Sequence, residues 1–324
     1  MESLSKDPEK SPPRISIVVP CFNEEDCLDE TIDALIAKLA QLAQSGLILP
    51  DSSITFCDDG SSDDTWRIVE KAHQAYPSTI HGILFAANKG KEYALLAGIE
   101  EAKDRSDAVI CMDADLQFDI DALEDFLTKY AEGYEVVYGI KKSRGAEPLY
   151  KKWCARMFYG IMVKLGSPMR RNLADYCLLS RRACEAMLRY PESNVIFRGL
   201  LYSIGFKKTA VHFDVHDRTS GSSHFSAFKL LNLSLDAITS FSVAPLRTIV
   251  GVGFLVLLIG IIMVAWTCVD VFRGMTPSGY ATIACSIWFV GGLCMLCLGI
   301  MGEYLGKLYM ESKHRPRYII SKRI

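Results

Sequence analysis

With 324 residues, 23% of them charged and 50% hydrophobic, the chain has room for one large domain or two small ones. That composition excludes a disordered or collagen-like protein. A net charge of −2 gives no reason to expect nucleic acid as a partner.

The first fourteen residues are polar, charged and proline-containing, unlike a signal peptide. Ile15–Pro20 (ISIVVP) then reads as a strand, followed by a helix from Glu24 to about Gln44. Ser53–Asp59 is the second strand, with a helix over Asp64–Ala75, and Ile80–Ala86 is the third, with a helix over Glu92–Ala102. Ala108–Met112 is the fourth, leading through an acidic stretch into a helix near Ile120–Ala131, and Glu135–Ile140 is the fifth. This alternation predicts βαβ units and a parallel sheet covered on both faces. From about Leu149 the pattern is less regular: a basic run, a helix through Met162, then the segment Asp175–Arg181.

Residues 226–247 carry apolar side chains at helical spacing and predict an amphipathic helix on the membrane surface, a core helix of the soluble domain being the alternative. Thr248–Val269 and Ala281–Gly302 are each 22 residues without a charge. At 1.5 Å per residue each is long enough to cross a hydrocarbon core of about 30 Å. Arg247 before the first span, and Lys307, Lys313, Arg315, Arg317, Lys322 and Arg323 after the second, predict that both termini and the N-terminal 240 residues are cytoplasmic. The plan is thus a leader (1–14), an α/β domain (15–225), a juxtamembrane helix (226–247), spans at 248–269 and 281–302, and a basic tail (303–324). Eleven cysteines follow no zinc spacing, Cys294 and Cys297 lying inside a span, and read as small apolar residues in a reducing compartment.

In an open α/β sheet, ligands bind outside the carboxyl ends of the strands. Four such ends here are polar: Asn23-Glu24, Asp58 to Ser61, Asn88 to Lys91, and Asp113-Ala114-Asp115. Residues i and i+2 of an extended chain point the same way. Asp113 and Asp115 can therefore share one hard cation, Mg²⁺ or Mn²⁺, with ligand phosphates completing its shell and Gln117 adding an oxygen. Asp119 and Asp121 read as acidic residues at a helix start. One carboxylate of the Asp58-Asp59 pair could accept the N3–H of a uracil ring, while a turn and helix cap account for Ser62 to Thr65.

The strings V-V-P-C-F-N-E-E (Val18–Glu25), D-D-G-S-S-D-D-T (Asp58–Thr65), N-K-G-K-E-Y-A-L-L-A-G (Asn88–Gly98) and D-A-D-L-Q (Asp113–Gln117), in this order, resemble the GT-A glycosyltransferases of family 2. With the two spans, the chain resembles the polyprenyl-phosphate glycosyltransferases, relatives of dolichyl-phosphate mannose synthase and the bactoprenol glucosyltransferases. D-Y-C-L-L-S-R from Asp175, P-E-S-N-V-I-F-R-G-L from Pro191 and R-T-S-G-S-S-H-F from Arg218 extend the likeness from about Ile15 to the tail. The resemblance implies a GT-A fold, Rossmann-like with a mostly parallel sheet. It also implies inverting transfer of one sugar from a nucleotide sugar to a polyprenyl phosphate. UDP is favoured over GDP, glucose as the sugar, undecaprenyl phosphate as the lipid, and a homo-oligomer, a tetramer, as the assembly. It further implies that Asp59 contacts the uracil, that Asp115 and Gln117 hold the metal, and that Asp113 supports the nucleotide or donor sugar. Pro20, Phe22, Asn23, Glu24 and Lys91 would line the nucleotide pocket.

A hydroxyl acceptor needs a general base, whereas a polyprenyl phosphate is already an anion and needs positioning and charge neutralisation. Lys141, Lys142, Arg144, Lys151, Lys152 and Arg156 form a basic run after the fifth strand, and Arg198 and Arg218 follow in later motifs. Arg144 and Arg218 are the first candidates for the acceptor phosphate, with Arg198 next. Lys151 and Lys152 also suit a patch facing anionic lipid. Two positions depart from the family pattern: His224 where relatives carry the lysine of G-x-S-K-Y, and Cys177 where arginine is frequent. A processive polysaccharide synthase is disfavoured, because no Q-x-x-R-W occurs. A sugar-nucleotide sensor without turnover is disfavoured by the intact Asp113, Asp115 and Gln117. Gly291, Gly292, Gly299 and Gly302 would allow close helix packing, and the tail P-R-Y-I-I could pair with a neighbouring subunit.

Overall fold

A computed structural model describes residues 11–142, 173–191, 196–214, 244–273 and 279–324. The chain divides into two compact units, one of residues 1–155, 169–224 and 315–324, the other of 156–168 and 225–314.

The described strands of the first unit are β1 (Ile15–Cys21), β2 (Ser53–Asp58), β3 (Ile80–Phe85), β4 (Ala108–Cys111), β5 (Val136–Lys141), β6 (Leu173–Ser180), β7 (Lys208–Phe213) and β8 (Ile320–Arg323). Its described helices are α1 (Leu28–Gln44), α2 (Thr65–Ala75), α3 (Lys91–Ala102), α4 (Ala122–Ala131), α5 (Arg181–Leu188) and α6 (Phe197–Ser203). The strands form one eight-stranded sheet in the order β7-β5-β6-β4-β1-β2-β3-β8. β1 pairs in parallel with β2 and β4, β2 with β3, and β5 with β7. The mostly parallel α/β architecture is therefore present. The segment Asp175–Arg181, which carried no periodic pattern, belongs largely to β6, inserted antiparallel between β4 and β5.

Alternate residues of β1 enter opposite cores. Ile15, Ile17, Val19 and Cys21 pack with α1, α2 and α4, whereas Val18 packs with α3, α5 and α6. Burial on both faces is why this strand reads as an unbroken apolar run. Pro20 is tolerated in so central a strand because its missing N–H faces the β4 side. There the pairing has already ended at Val18–Cys111. α3 approaches the sheet through Gly98, where a Cβ would stand 2.4 Å from both Val18 Cγ1 and Cys57 Sγ. Gly98→Ala is expected to destabilise the domain by about 1–3 kcal/mol through overpacking, read as a lower midpoint in urea or thermal unfolding.

The acidic stretch after β4 does more than begin a helix. Asp119 Oδ1 accepts the Asp121 N–H at 2.9 Å. The Asp121 carboxylate makes no cap and instead pairs with Lys38 of α1, whose Nζ lies 2.7 Å from both Asp121 and Glu124. Lys38 is 4% exposed, so the two carboxylates neutralise a cation held between α1 and α4.

The tail differs from its expected role. β8 pairs antiparallel with β3 of its own chain, with Ile83 opposite Arg323 and Leu84 opposite Lys322. Ile319 O accepts the Ala86 N–H at 2.9 Å, and Tyr318 stacks on Phe85 at 4.9 Å. The sheet edge left by β3 is thereby covered intramolecularly.

The second unit contains α7 (Ala244–Phe272) and α8 (Tyr280–Ser312). Among the described residues one segment, Phe289–Ser312, is long and apolar enough to cross a membrane, and Thr248–Met263 is a shorter apolar stretch within α7. Phe254, Leu255, Trp266, Phe289, Met295 and Leu298 are exposed on these helices. Of the helix expected at 226–247, residues 226–243 lie outside the described residues, as does the helix expected through Met162.

Candidate active site

The loops after β1 and β2 are latched together by reciprocal hydrogen bonds. Asn23 donates its N–H to Ser61 Oγ at 3.0 Å while its own Oδ1 accepts from the Ser62 N–H at 2.9 Å. Glu24 donates its N–H to Thr65 Oγ1 at 2.9 Å, and Glu25 accepts from the Asp64 N–H at 2.9 Å. These bonds engage Asn23, Glu24 and Glu25, and α1 starts at Leu28 rather than Glu24. Asn23 holds a φ of +53°, a left-handed conformation that the latch stabilises. Pro20 is buried inside β1, whereas Phe22 is 44% exposed on the loop.

Asp59 is 2% exposed and accepts the Lys89 N–H on one carboxylate oxygen and the Gly90 N–H on the other, each at 2.7 Å. It thereby ties the β2 end to the loop before α3. Gly60 (φ +72°) lies so close to that loop that a Cβ would meet Ala87 C and Asn88 N at 2.9 Å. Asp58 accepts the Ser61 N–H at 2.8 Å, and its buried Oδ2 has no partner among the described residues. Burial pushes both carboxyls up from the usual range.

The two aspartates of D-A-D have different partners. Asp113 forms an ion pair with Lys91, Oδ1 to Nζ at 2.5 Å, and the same Nζ donates to Asp175 on β6 at 2.7 Å. Arg198 of α6 forks onto Asp175, Nε to Oδ1 at 2.6 Å and Nη2 to Oδ2 at 3.1 Å. The chain Asp113–Lys91–Asp175–Arg198 thus joins four elements by charge-assisted bonds. Burial alone would raise the Asp175 carboxyl, but Lys91 and Arg198 carry it well below the usual range. Burial dominates at Asp113, which is raised. Lys141, at the end of β5, is lowered by burial, and its Nζ stands 5.1 Å from the centroid of the Phe118 ring.

Asp115 lies on the turn beyond, partly exposed, with one oxygen accepting the Gln117 N–H at 3.2 Å. Leu116 between them has a φ of +48°, a strained conformation for leucine that marks this turn. Among the described residues no group of three or more His, Cys, Asp or Glu side chains gathers as a metal cage. A cation here would take one or two protein oxygens, the rest of its shell coming from ligand and water, which is the habit of Mg²⁺.

Two acidic residues beyond the sequence-derived set belong to the network, Asp175 and Glu92. Asp175 begins the string D-Y-C-L-L-S-R, and nothing local in the sequence distinguishes it. Glu92 follows Lys91, and its Oε2 accepts the Phe197 N–H at 2.7 Å. Burial, then Asp175, pushes its carboxyl up from the ordinary glutamate range to about 7. A folded-state value above the unfolded one means that Glu92 favours folding at low pH and loses that contribution as pH rises through about 7. Glu92→Gln is therefore expected to raise the thermal midpoint relative to wild type at pH 8, the gain shrinking by pH 5. Arg144, Arg218 and His224 lie outside the described residues. Cys177 is fully buried in the apolar core opposite Cys111 of β4.

Polar groups gathered at the strand ends of a mostly parallel sheet are the ligand-binding arrangement of α/β enzymes, a class that serves many chemistries. Residues 16–189 match the glycosyl transferase family 2 model, and residues 244–308 match the GtrB C-terminal hairpin. The chain belongs to glycosyl transferase family 2. It is 41% identical over 312 residues to the glycosyltransferase YkoT of Bacillus subtilis (strain 168), covering 96% of this chain and 92% of that one. It is 35% identical over 309 residues to the bactoprenol glucosyl transferase of Shigella phage SfV, covering 95% and 98%. A mannosyltransferase of Pyrobaculum calidifontis solved with GDP-Man and Mn²⁺ aligns over 92% of this chain and 85% of that one, at 14% identity and a TM-score of 0.46.

Proposed function

We propose that the protein transfers one sugar, glucose, with inversion from a UDP-sugar to a polyprenyl phosphate, undecaprenyl phosphate, at the cytoplasmic face of the plasma membrane. The product would be a lipid-linked sugar donor for cell-envelope glycans. The observation that carries this reading is the grouping of Lys91, Arg198 and Lys141 around Asp113 and Asp175. Asp175 is locked in ion pairs that hold it ionised with its proton affinity depressed, which suits it to fixing cations and makes it a poor base. An anionic acceptor needs just such neutralisation and no base. The bactoprenol glucosyl transferase named above, similar over nearly its whole length, supports the acceptor and the sugar.

In this reading Arg198, Arg144 and Arg218 meet the acceptor phosphate. Asp59 accepts from the uracil through lone pairs left over from its backbone bonds, with Asp58 Oδ2, which has no partner among the described residues, as the neighbouring acceptor. Asp115 and Gln117 hold Mg²⁺ or Mn²⁺, which when bound neutralises charge on the departing diphosphate. The hairpin match over 244–308 supports two spans, at 248–269 and 281–302, that keep the reaction at the bilayer.

The test mixes purified protein with undecaprenyl phosphate, Mg²⁺ or Mn²⁺, and labelled UDP- and GDP-sugars, and follows label into the organic phase. Metal-dependent transfer from UDP-glucose, abolished by EDTA, is expected. Nucleotide binding without transfer from any donor would replace this reading with that of a sensor.

A further inference from the structure

Glu92 has no place in the reaction as written, yet it sits among the charges that the reaction uses. Its Oε2 accepts the N–H of Phe197, the first residue of α6, at 2.7 Å. The residue before that helix, Ile196, has no side chain able to cap it, and no side-chain cap is made there. Glu92, reaching across from α3, satisfies one of the N–H groups that a helix start leaves open. The next residue of α6 is Arg198. Its guanidinium uses Nε and one Nη2 proton on Asp175, and its remaining donors have no partner among the described residues. Asp175 orients the fork, but it leaves the backbone that carries the arginine to be held from elsewhere. Phe197, Leu200 and Leu201 anchor the helix in the core, and the Phe197 N–H to Glu92 is the polar bond that fixes its first residue.

We infer that Glu92 is a positioning residue for the acceptor: by fixing the start of α6 it aims the open edge of Arg198 at the acceptor's phosphate. The inference rests on the reading that Arg198 meets that phosphate. The groups facing Glu92 are Lys91 on its own helix, Asp175 from β6 and Arg198 from α6. Among these neighbours the hydrogen bond to Phe197 is the direct contact of Glu92 with α6. An amide oxygen can accept the same N–H, so the role depends on an acceptor atom at this place and not on its charge.

The experiment measures steady-state transfer from UDP-glucose to undecaprenyl phosphate in detergent, varying each substrate in turn. Glu92→Ala is expected to raise the KM for undecaprenyl phosphate about tenfold, the scale of one lost charge-assisted bond, with the KM for UDP-glucose changed less than about twofold. Glu92→Gln is expected to restore most of the acceptor KM. An equal rise in both KM values, no rise in either, or failure of glutamine to rescue would overturn the inference. Arg198→Ala separates the layers. If it leaves the acceptor KM unchanged, the reading of Arg198 fails first. If it raises that KM while Glu92→Ala does not, only the role of Glu92 fails. Should Glu92→Ala not fold, Glu92→Gln and Glu92→Leu are compared at matched folded fraction. Equal acceptor KM in those two would also overturn it.

Discussion

Asp115→Ala is expected to lower kcat for sugar transfer by about a hundredfold or more, the scale on which a metal-held charge stabilises a departing diphosphate. The protein should otherwise stay intact. Asp115 lies on the turn after β4, partly exposed, where one of its oxygens accepts the Gln117 N–H. The thermal midpoint is therefore expected to move by no more than about 2 °C, the range of a surface substitution. Asp113→Ala should behave differently, because Asp113 neutralises Lys91 and removing it disturbs the whole ion-pair chain. Measuring kcat, midpoint and Mn²⁺-dependent UDP binding for both variants separates metal holding from cation holding. Full activity in Asp115→Ala would remove the metal role from this turn.

Asp175→Ala is expected to be the most destabilising single change in the site. Its side chain is 6% exposed and is bonded by both Lys91 and Arg198. Removing it leaves two cations facing each other without their shared counter-ion. Breaking a fully buried pair costs about 3–5 kcal/mol. Both cations are 39% exposed, so solvent screens part of that, and a loss near the lower end, about 3 kcal/mol, is expected. The depressed carboxyl fixes the pH dependence. The stabilisation is present above the unfolded value near 3.8 and is lost as pH falls through the folded one. The gap in midpoint between wild type and Asp175→Ala should thus persist from pH 8 to pH 5 and narrow below about pH 4. Adding Lys91→Leu should recover part of the stability without recovering transfer. If the double variant is no more stable than Asp175→Ala alone, Lys91 is not the stranded charge.

Much of the catalytic domain was legible because its signals are local. Apolar runs such as Ile15–Pro20, ending in polar residues and followed by helical spacing, mark buried parallel strands and place their carboxyl ends. Asp113, Asp115 and Lys91 were picked out because each stands at such an end, and the structure brings Lys91 and Asp113 together. Asp59 stands there too, but two backbone N–H groups occupy its oxygens, a use that only the approach of the 89–90 loop reveals.

The rest depends on partners distant in sequence. Asp175 pairs with Lys91 across 84 positions, on a strand whose antiparallel insertion no periodicity announced. Lys38 meets Asp121 across 83 positions, which turns an apparent helix-start acid into the partner of a buried cation. The tail reads as basic because Lys322 and Arg323 dominate a four-residue strand, yet Lys322 meets Glu70 across 252 positions and the strand closes the sheet edge. Composition and spacing determined the class of fold, the polar ends of its strands and the apolar helices that follow. Which carboxylate holds a cation, and which arginine it aims, was decided only when folding brought remote segments within hydrogen-bond distance, because an ion pair has no signature in the residues beside either partner.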